Sequence, residues 1–121
     1  MLKLKSLKEP TSGDDGLRIM IARYRKRYLP KHEENWNEWW KDLAPSKVLF
    51  KEFMQDKKIS WSEYEGKFRL EIRNNPKSLN ALSTLRTLIK DKSVTILCHC
   101  IDEKHCHRSL IKQMIEEEHT D

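Results

Sequence analysis

Val94-Thr95-Ile96-Leu97-Cys98, followed by Cys106-His107-Arg108 and then by Leu110, Ile111 and Met114, is the stretch that decides the fold. Five apolar and β-branched residues in a row predict a buried strand. From His107 onward the apolar positions recur at helical spacing, so a helix follows the strand. A strand handing over to a helix is the unit of an α/β protein, and the turn between them is where such proteins gather ligands and reactive groups. Here that turn holds all three cysteines, Cys98, Cys100 and Cys106, and three of the five histidines, His99, His105 and His107.

Working outward, Leu2, Leu4 and Leu7 suggest a short first strand. Gly13-Asp14-Asp15-Gly16 reads as a turn, and Leu17 to Ala22 as a second, buried strand. The middle of the chain reads as helical. Asn35 with Glu38 resembles a capping box, and Trp36, Trp39, Trp40 and Leu43 fall on one helical face. Pro45-Ser46 stops that helix and starts another, with Val48, Leu49 and Phe53 inward. Ser60 with Glu63 caps a helix striped by Trp61, Tyr64, Phe68 and Ile72. Asn75-Pro76 opens the next, faced by Leu79, Leu82, Leu85, Leu88 and Ile89. Asp102 is placed to cap the last helix. The acidic run Glu116-Glu117-Glu118 lies at the wrong end for the helix dipole, so residues 116–121 are expected to fray. The pattern predicts one α/β domain over residues 1–121, with a small, mostly parallel sheet and helices packed on it.

Composition bounds the function. The chain has 121 residues, 37% hydrophobic and 36% charged, with a net charge of +5. That suits one modest core and an anionic partner. No apolar run approaches the ~20 residues of a membrane span, and Met1-Leu2-Lys3-Leu4-Lys5 is not a signal-peptide stretch. A cytoplasmic protein with no membrane partner is expected. Three clustered cysteines are not a secreted disulfide framework. Arg18, Arg23, Arg25, Lys26, Arg27 and Lys31 form a basic stretch without an acid, interleaved with Tyr24 and Tyr28. Such a stretch can hold a phosphate backbone and stack bases, or it can be a solvated loop.

The cluster admits three chemistries. As an anion site, Arg23, Arg27 and Arg108 supply charge, His107 moves a proton, and Cys98 and Cys106 supply thiol reactivity. This is the leading reading. It needs no cofactor or metal and leaves open whether a reaction follows binding. As a zinc site, Cys98, Cys100, Cys106 and His107 make a tetrahedral donor set for a structural, non-catalytic protein. As core, the cysteines are small apolar fillers and His107 is a hydrogen-bonded interior histidine. A Cys98–Cys106 redox pair and nucleic-acid binding are compatible with more than one of these. The phosphatase pattern Cys-x5-Arg is absent, because Cys100 and Arg108 are separated by seven residues with no glycine.

The chain resembles the prokaryotic YeaO-like family, domain of unknown function 488. The resemblance rests on Asp15-Gly16-Leu17-Arg18-Ile19-Met20-Ile21-Ala22-Arg23, on Trp39 with Asp42-Leu43-Ala44-Pro45-Ser46, and on the spaced Tyr64, Phe68 and Glu71. It also rests on Leu97-Cys98 with Cys106-His107-Arg108. It implies a compact single α/β domain and points to no particular reaction. Where the family carries an aspartate before Arg23, this chain has Ala22. Where it carries Trp-Pro-Arg-Gly, this chain keeps only Arg27. A glutamate two residues after the first cysteine is Cys100 here. Of the cluster, mainly His107 has a counterpart in other members, so the resemblance weights His107 and Arg23 over Cys100.

Overall fold

The computed structural model describes residues 1–25, 29–99 and 105–118. Four strands, β1 (Leu2–Ser6), β2 (Leu17–Met20), β3 (Glu38–Trp39) and β4 (Val94–Cys98), form one sheet in the order β1-β4-β2-β3. Every pairing is parallel. Four helices accompany it: α1 (Lys47–Phe50), α2 (Trp61–Arg73), α3 (Pro76–Asp91) and α4 (His107–Glu118). α1 continues directly into a π-helical turn over Lys51–Gln55.

β4 lies between β1 and β2, and all five of its residues are buried. That position explains its unbroken apolar run, since an interior parallel strand is covered on both faces. Side chains alternate across the strands. Leu4, Ile19 and Ile96 face the helical layer, where Phe68, Ile72, Leu82, Leu85, Leu110 and Ile111 complete the main core. Lys3, Lys5, Arg18 and Thr95 alternate to the opposite face. There the segment 7–16 covers them and inserts Asp15.

Asp15 is 1% exposed. It accepts from Lys3 Nζ at 3.1 Å, from Arg18 Nη1 and from the Ser12 amide, and pairs with Lys5 Nζ at 2.8 Å. Its backbone carbonyl accepts from the Thr95 hydroxyl at 2.8 Å. Burial pushes the Asp15 carboxyl up, but the bonds from Lys5, Ser12 and Lys3 outweigh it and hold the group well below the usual carboxylate range. Gly16 then turns the chain into β2 at φ 66°, where a Cβ would lie 2.1 Å from the Ser93 carbonyl oxygen. Only glycine fits there.

The caps read at Ser60 and Asn75 are present, whereas Asn35 opens no helix. Ser60 Oγ accepts from the Glu63 amide at 3.2 Å, and Asn75 Oδ1 from the Lys77 amide at 2.9 Å. Tyr64, Phe68 and Ile72 are buried along α2. α4 runs to Glu118, with Glu117 bonded to Arg69 of α2 at 2.9 Å, while residues 119–121 and the proposed cap Asp102 lie outside the described residues.

Three expectations are corrected. Residues 36–43 are not a helix. Glu38 and Trp39 form β3 against Ile19 and Met20, followed by a 3-10 turn over Lys41–Leu43. The exposed edge of β2 offers unpaired backbone groups to this segment. The Asn37 amide donates to Arg18 O at 2.7 Å, and Asn37 Oδ1 accepts from the Arg18 amide at 2.8 Å. Adjacent tryptophans then part to opposite sides, Trp40 to the main core and Trp39 with Trp36 to a smaller cluster. That division follows the strand period of two, which a stripe of eight residues cannot distinguish from a helical one. Val48 is 69% exposed, because the helical register places Leu49 and Phe53 inward instead. Leu79 is also exposed, and the inner face of α3 is narrower than its leucine pattern suggests.

Candidate functional site

β2 and β4 are neighbours and end side by side. The pairing continues past β2 through the Ile21 amide, which donates to Leu97 O at 2.8 Å. The chain then runs through Ala22 to Arg23, while β4 stops at Cys98 and α4 begins at His107. These segments converge at the carboxyl edge of a parallel sheet, the usual ligand side of α/β folds.

Cys98 and Cys106 are both buried and are thiols rather than a disulfide. Their sulfurs lie 2.7 Å apart. His107 Nδ1 lies 3.7 Å from Cys106 Sγ, and His107 Nε2 lies 2.7 Å from Ile21 O. A carbonyl oxygen only accepts, so Nε2 carries the proton in that bond. In the neutral ring Nδ1 is then an acceptor, and it is the nitrogen turned toward the thiol. The ring edge packs on Phe68, with centroids 5.7 Å apart. Backbone and core thus hold the imidazole in one tautomer and one orientation.

These groups form the floor of a cavity of about 190 Å³. Tyr24, Phe50, Phe53, Met54 and Tyr64 line its sides, and His99 and His105 stand at it as well. Arg23 completes the wall. Its Nε donates to Pro45 O at 2.8 Å. Its two Nη groups make no hydrogen bond or ion pair to any described residue, although Arg23 also borders a second hollow that Asp42 and Glu71 line. Ala22, where the family pattern has aspartate, is consistent with this.

Behind Arg23, Glu71 of α2 accepts from both the amide and the hydroxyl of Ser46, the amide bond being 2.9 Å. The same hydroxyl accepts from the Leu49 amide and caps α1. Glu71 therefore fixes the Pro45-Ser46 corner whose carbonyl holds Arg23. Two segments that carried the family resemblance, Leu43-Ala44-Pro45-Ser46 and Glu71, meet here in space.

The structure brings together four of the residues singled out from sequence: Cys98, Cys106, His107 and Arg23. Arg108 is 1% exposed and does not line the cavity; it is held in the interior at the first turn of α4. Arg27 and Cys100 lie outside the described residues. Within the basic stretch, Arg18 is committed to Asp15, and Arg25 Nε donates to Glu34 Oε2 at 2.7 Å. Sequence reasoning missed the aromatic walls. Phe53 and Tyr64 read as core stripes, and only the gap between α1, α2 and the strand ends makes cavity lining of them. The Cys98, Cys106 and His107 donor atoms all lie within 4.8 Å of one another, close enough to hold a metal ion.

Over residues 2–119 the chain matches the family DUF488-N3a, described as the active DUF488-N3 subclade, and it belongs to that family. It is 25% identical over 107 residues to the uncharacterized proteins Mb3100c of Mycobacterium bovis and Rv3073c of Mycobacterium tuberculosis. The matched region spans 88% of this chain and 86% of each relative. No solved structure matches it. Among the described residues, no helix is long and apolar enough to cross a membrane.

Proposed function

We propose that the cavity binds a small ligand carrying an anionic group and presents it to a cysteine nucleophile. The observation that carries this reading is the Cys98, Cys106 and His107 cluster lining one cavity with Arg23, whose Nη groups make no ion pair to a described residue. Arg23 takes the anionic group through its Nη donors. Cys106 is the nucleophile because its sulfur neighbours both the Cys98 sulfur and His107 Nδ1. As Cys106 Sγ attacks an electrophilic centre, its proton passes to Nδ1. The bond to the leaving group breaks, and the imidazolium returns the proton to that group. Cys98 stabilises the thiolate by donating its S–H. The family's description as active accords with a working site.

Iodoacetate and iodoacetamide test this, because they alkylate the same thiol and differ in charge. Cys106 should react faster with iodoacetate, relative to a small free thiol, and Arg23→Gln should remove that preference by roughly tenfold, the scale of one charge-assisted hydrogen bond. An iodoacetate-to-iodoacetamide ratio that Arg23→Gln leaves unchanged would remove Arg23 from the site.

A metal reading has one observation in its favour. His107 donates its second ring N–H to a backbone carbonyl, as metal-bound histidines do. The thiol reading is preferred because the described residues bring three such donors together, one short of a closed structural zinc site. Zinc retained stoichiometrically in purified protein, with a melting temperature that falls on chelation, would reverse this preference.

A further inference from the structure

We infer that the ligand body is a single aromatic ring, with the anionic group as its substituent; this rests on the anion reading of the same cavity. Three observations carry it. The first is size. A cavity of about 190 Å³ is of the order of the roughly 150 Å³ engineered cavity that takes up benzene. It is well below the roughly 300 Å³ at which pockets for drug-sized ligands begin. A single ring is of that size.

The second is the chemistry of the walls. Phe53 and Tyr64 stack with centroids 4.4 Å apart, and Tyr24 meets Phe50 edge-on at 5.1 Å. These two aromatic pairs, with Met54 and Pro45, line the same cavity as Arg23 and the thiols. Aromatic edges and faces pair with a ring, and methionine sulfur packs well against one. A sugar in the same place would bury hydroxyls against carbon, at a cost for each one left without a partner.

The third is the placement of the polar groups. Arg23 supplies the charge in the wall, and the thiols and His107 lie on the floor. The ligand that satisfies all three observations is a benzoate- or phenylphosphate-like molecule, with its ring in the aromatic box and its charge on Arg23.

The test is protection of Cys106 from iodoacetamide, read by peptide mass spectrometry. Equal concentrations of phenylphosphate, inorganic phosphate and ribose 5-phosphate are compared on the full-length protein. Phenylphosphate should protect at concentrations at least about tenfold lower than the other two, since burying a ring adds an apolar contribution that they lack. Phe50→Ala should erase that advantage, with an unchanged circular dichroism spectrum showing that the variant is folded. If all three anions protect alike, the ring is overturned and the anion reading stands. If none protects, the anion reading fails and the ring falls with it.

Discussion

Asp15 and Arg23 lie in two parts of the molecule that use charge in opposite ways. On the face of the sheet away from the helices, buried Asp15 meets Lys3, Lys5 and Arg18 and the Ser12 amide, so the carboxylate is compensated several times over. At the carboxyl edge, Arg23 is anchored by one bond to Pro45 O, lines the thiol cavity, and makes no ion pair to a described carboxylate, with Asp42 and Glu71 bordering a second hollow beside it. The first arrangement closes on itself and holds the segment 7–16 against the sheet. The second is left open toward a ligand. A fold tolerates a buried charge when partners surround it, and it benefits from a partly exposed, uncompensated one only if something else comes to bind.

The largest expected effect breaks the closed arrangement. Asp15→Ala should cost about 3–5 kcal/mol, the scale for removing one partner of a buried ion pair, as read by chemical denaturation. A loss under about 1 kcal/mol would mean that the cations there are already satisfied by water. Acid tests the same contact. Because the folded carboxyl sits below its ordinary value of 3.8, the unfolded chain takes up the proton first. The contribution is therefore fully present above about pH 4 and is lost progressively as the pH falls toward strong acid. Wild-type stability should fall over that range, and the Asp15→Ala protein should fall less steeply.

Glu71→Ala sharpens the comparison from the open side. It removes the acceptor for both Ser46 donors and should cost about 2 kcal/mol, the range for hydrogen bonds to a charged group. It should also weaken the iodoacetate preference of Cys106, because Pro45 O no longer holds Arg23 in place. Glu71→Gln keeps an acceptor oxygen and should restore part of both. A preference untouched by Glu71→Ala would sever the link from Glu71 to Arg23.

The smallest effect on stability belongs to Arg23 itself. Arg23→Gln gives up one hydrogen bond and should cost about 1 kcal/mol or less, while changing the chemistry of the cavity. If it proved as costly as Asp15→Ala, the contrast between a closed and an open charge would collapse.

Much of the frame was legible because local physics dictates it. β4 is read from its β-branched run, α2 from Ser60 and the Tyr64, Phe68, Ile72 stripe, and α3 from Asn75-Pro76. Each signal is satisfied by residues within a turn or two of itself. The Trp36–Leu43 segment misled for the converse reason. Its conformation depends on the open edge of β2, some twenty residues earlier in the chain, and its own spacing carries no trace of that edge. The site divides in the same way. Cys98, Cys106 and His107 are close in sequence and were legible as a cluster.

The sequence by itself determined an α/β chain, the strand and helix flanking the cluster, and the presence there of thiols, an imidazole and basic groups. Periodicity, caps and residue chemistry are local properties, and a chain carries them wherever it folds. Only the tertiary structure decided that Arg23 shares a cavity with the thiols and that Arg18 is spent on Asp15. It also decided that Arg108 is interior, and that aromatic residues from α1 and the turn after it, from α2 and from the segment after β2 line that cavity. Those facts depend on which backbone segments end side by side. Strand order sets that arrangement, through pairings between residues as distant as Leu17 and Val94.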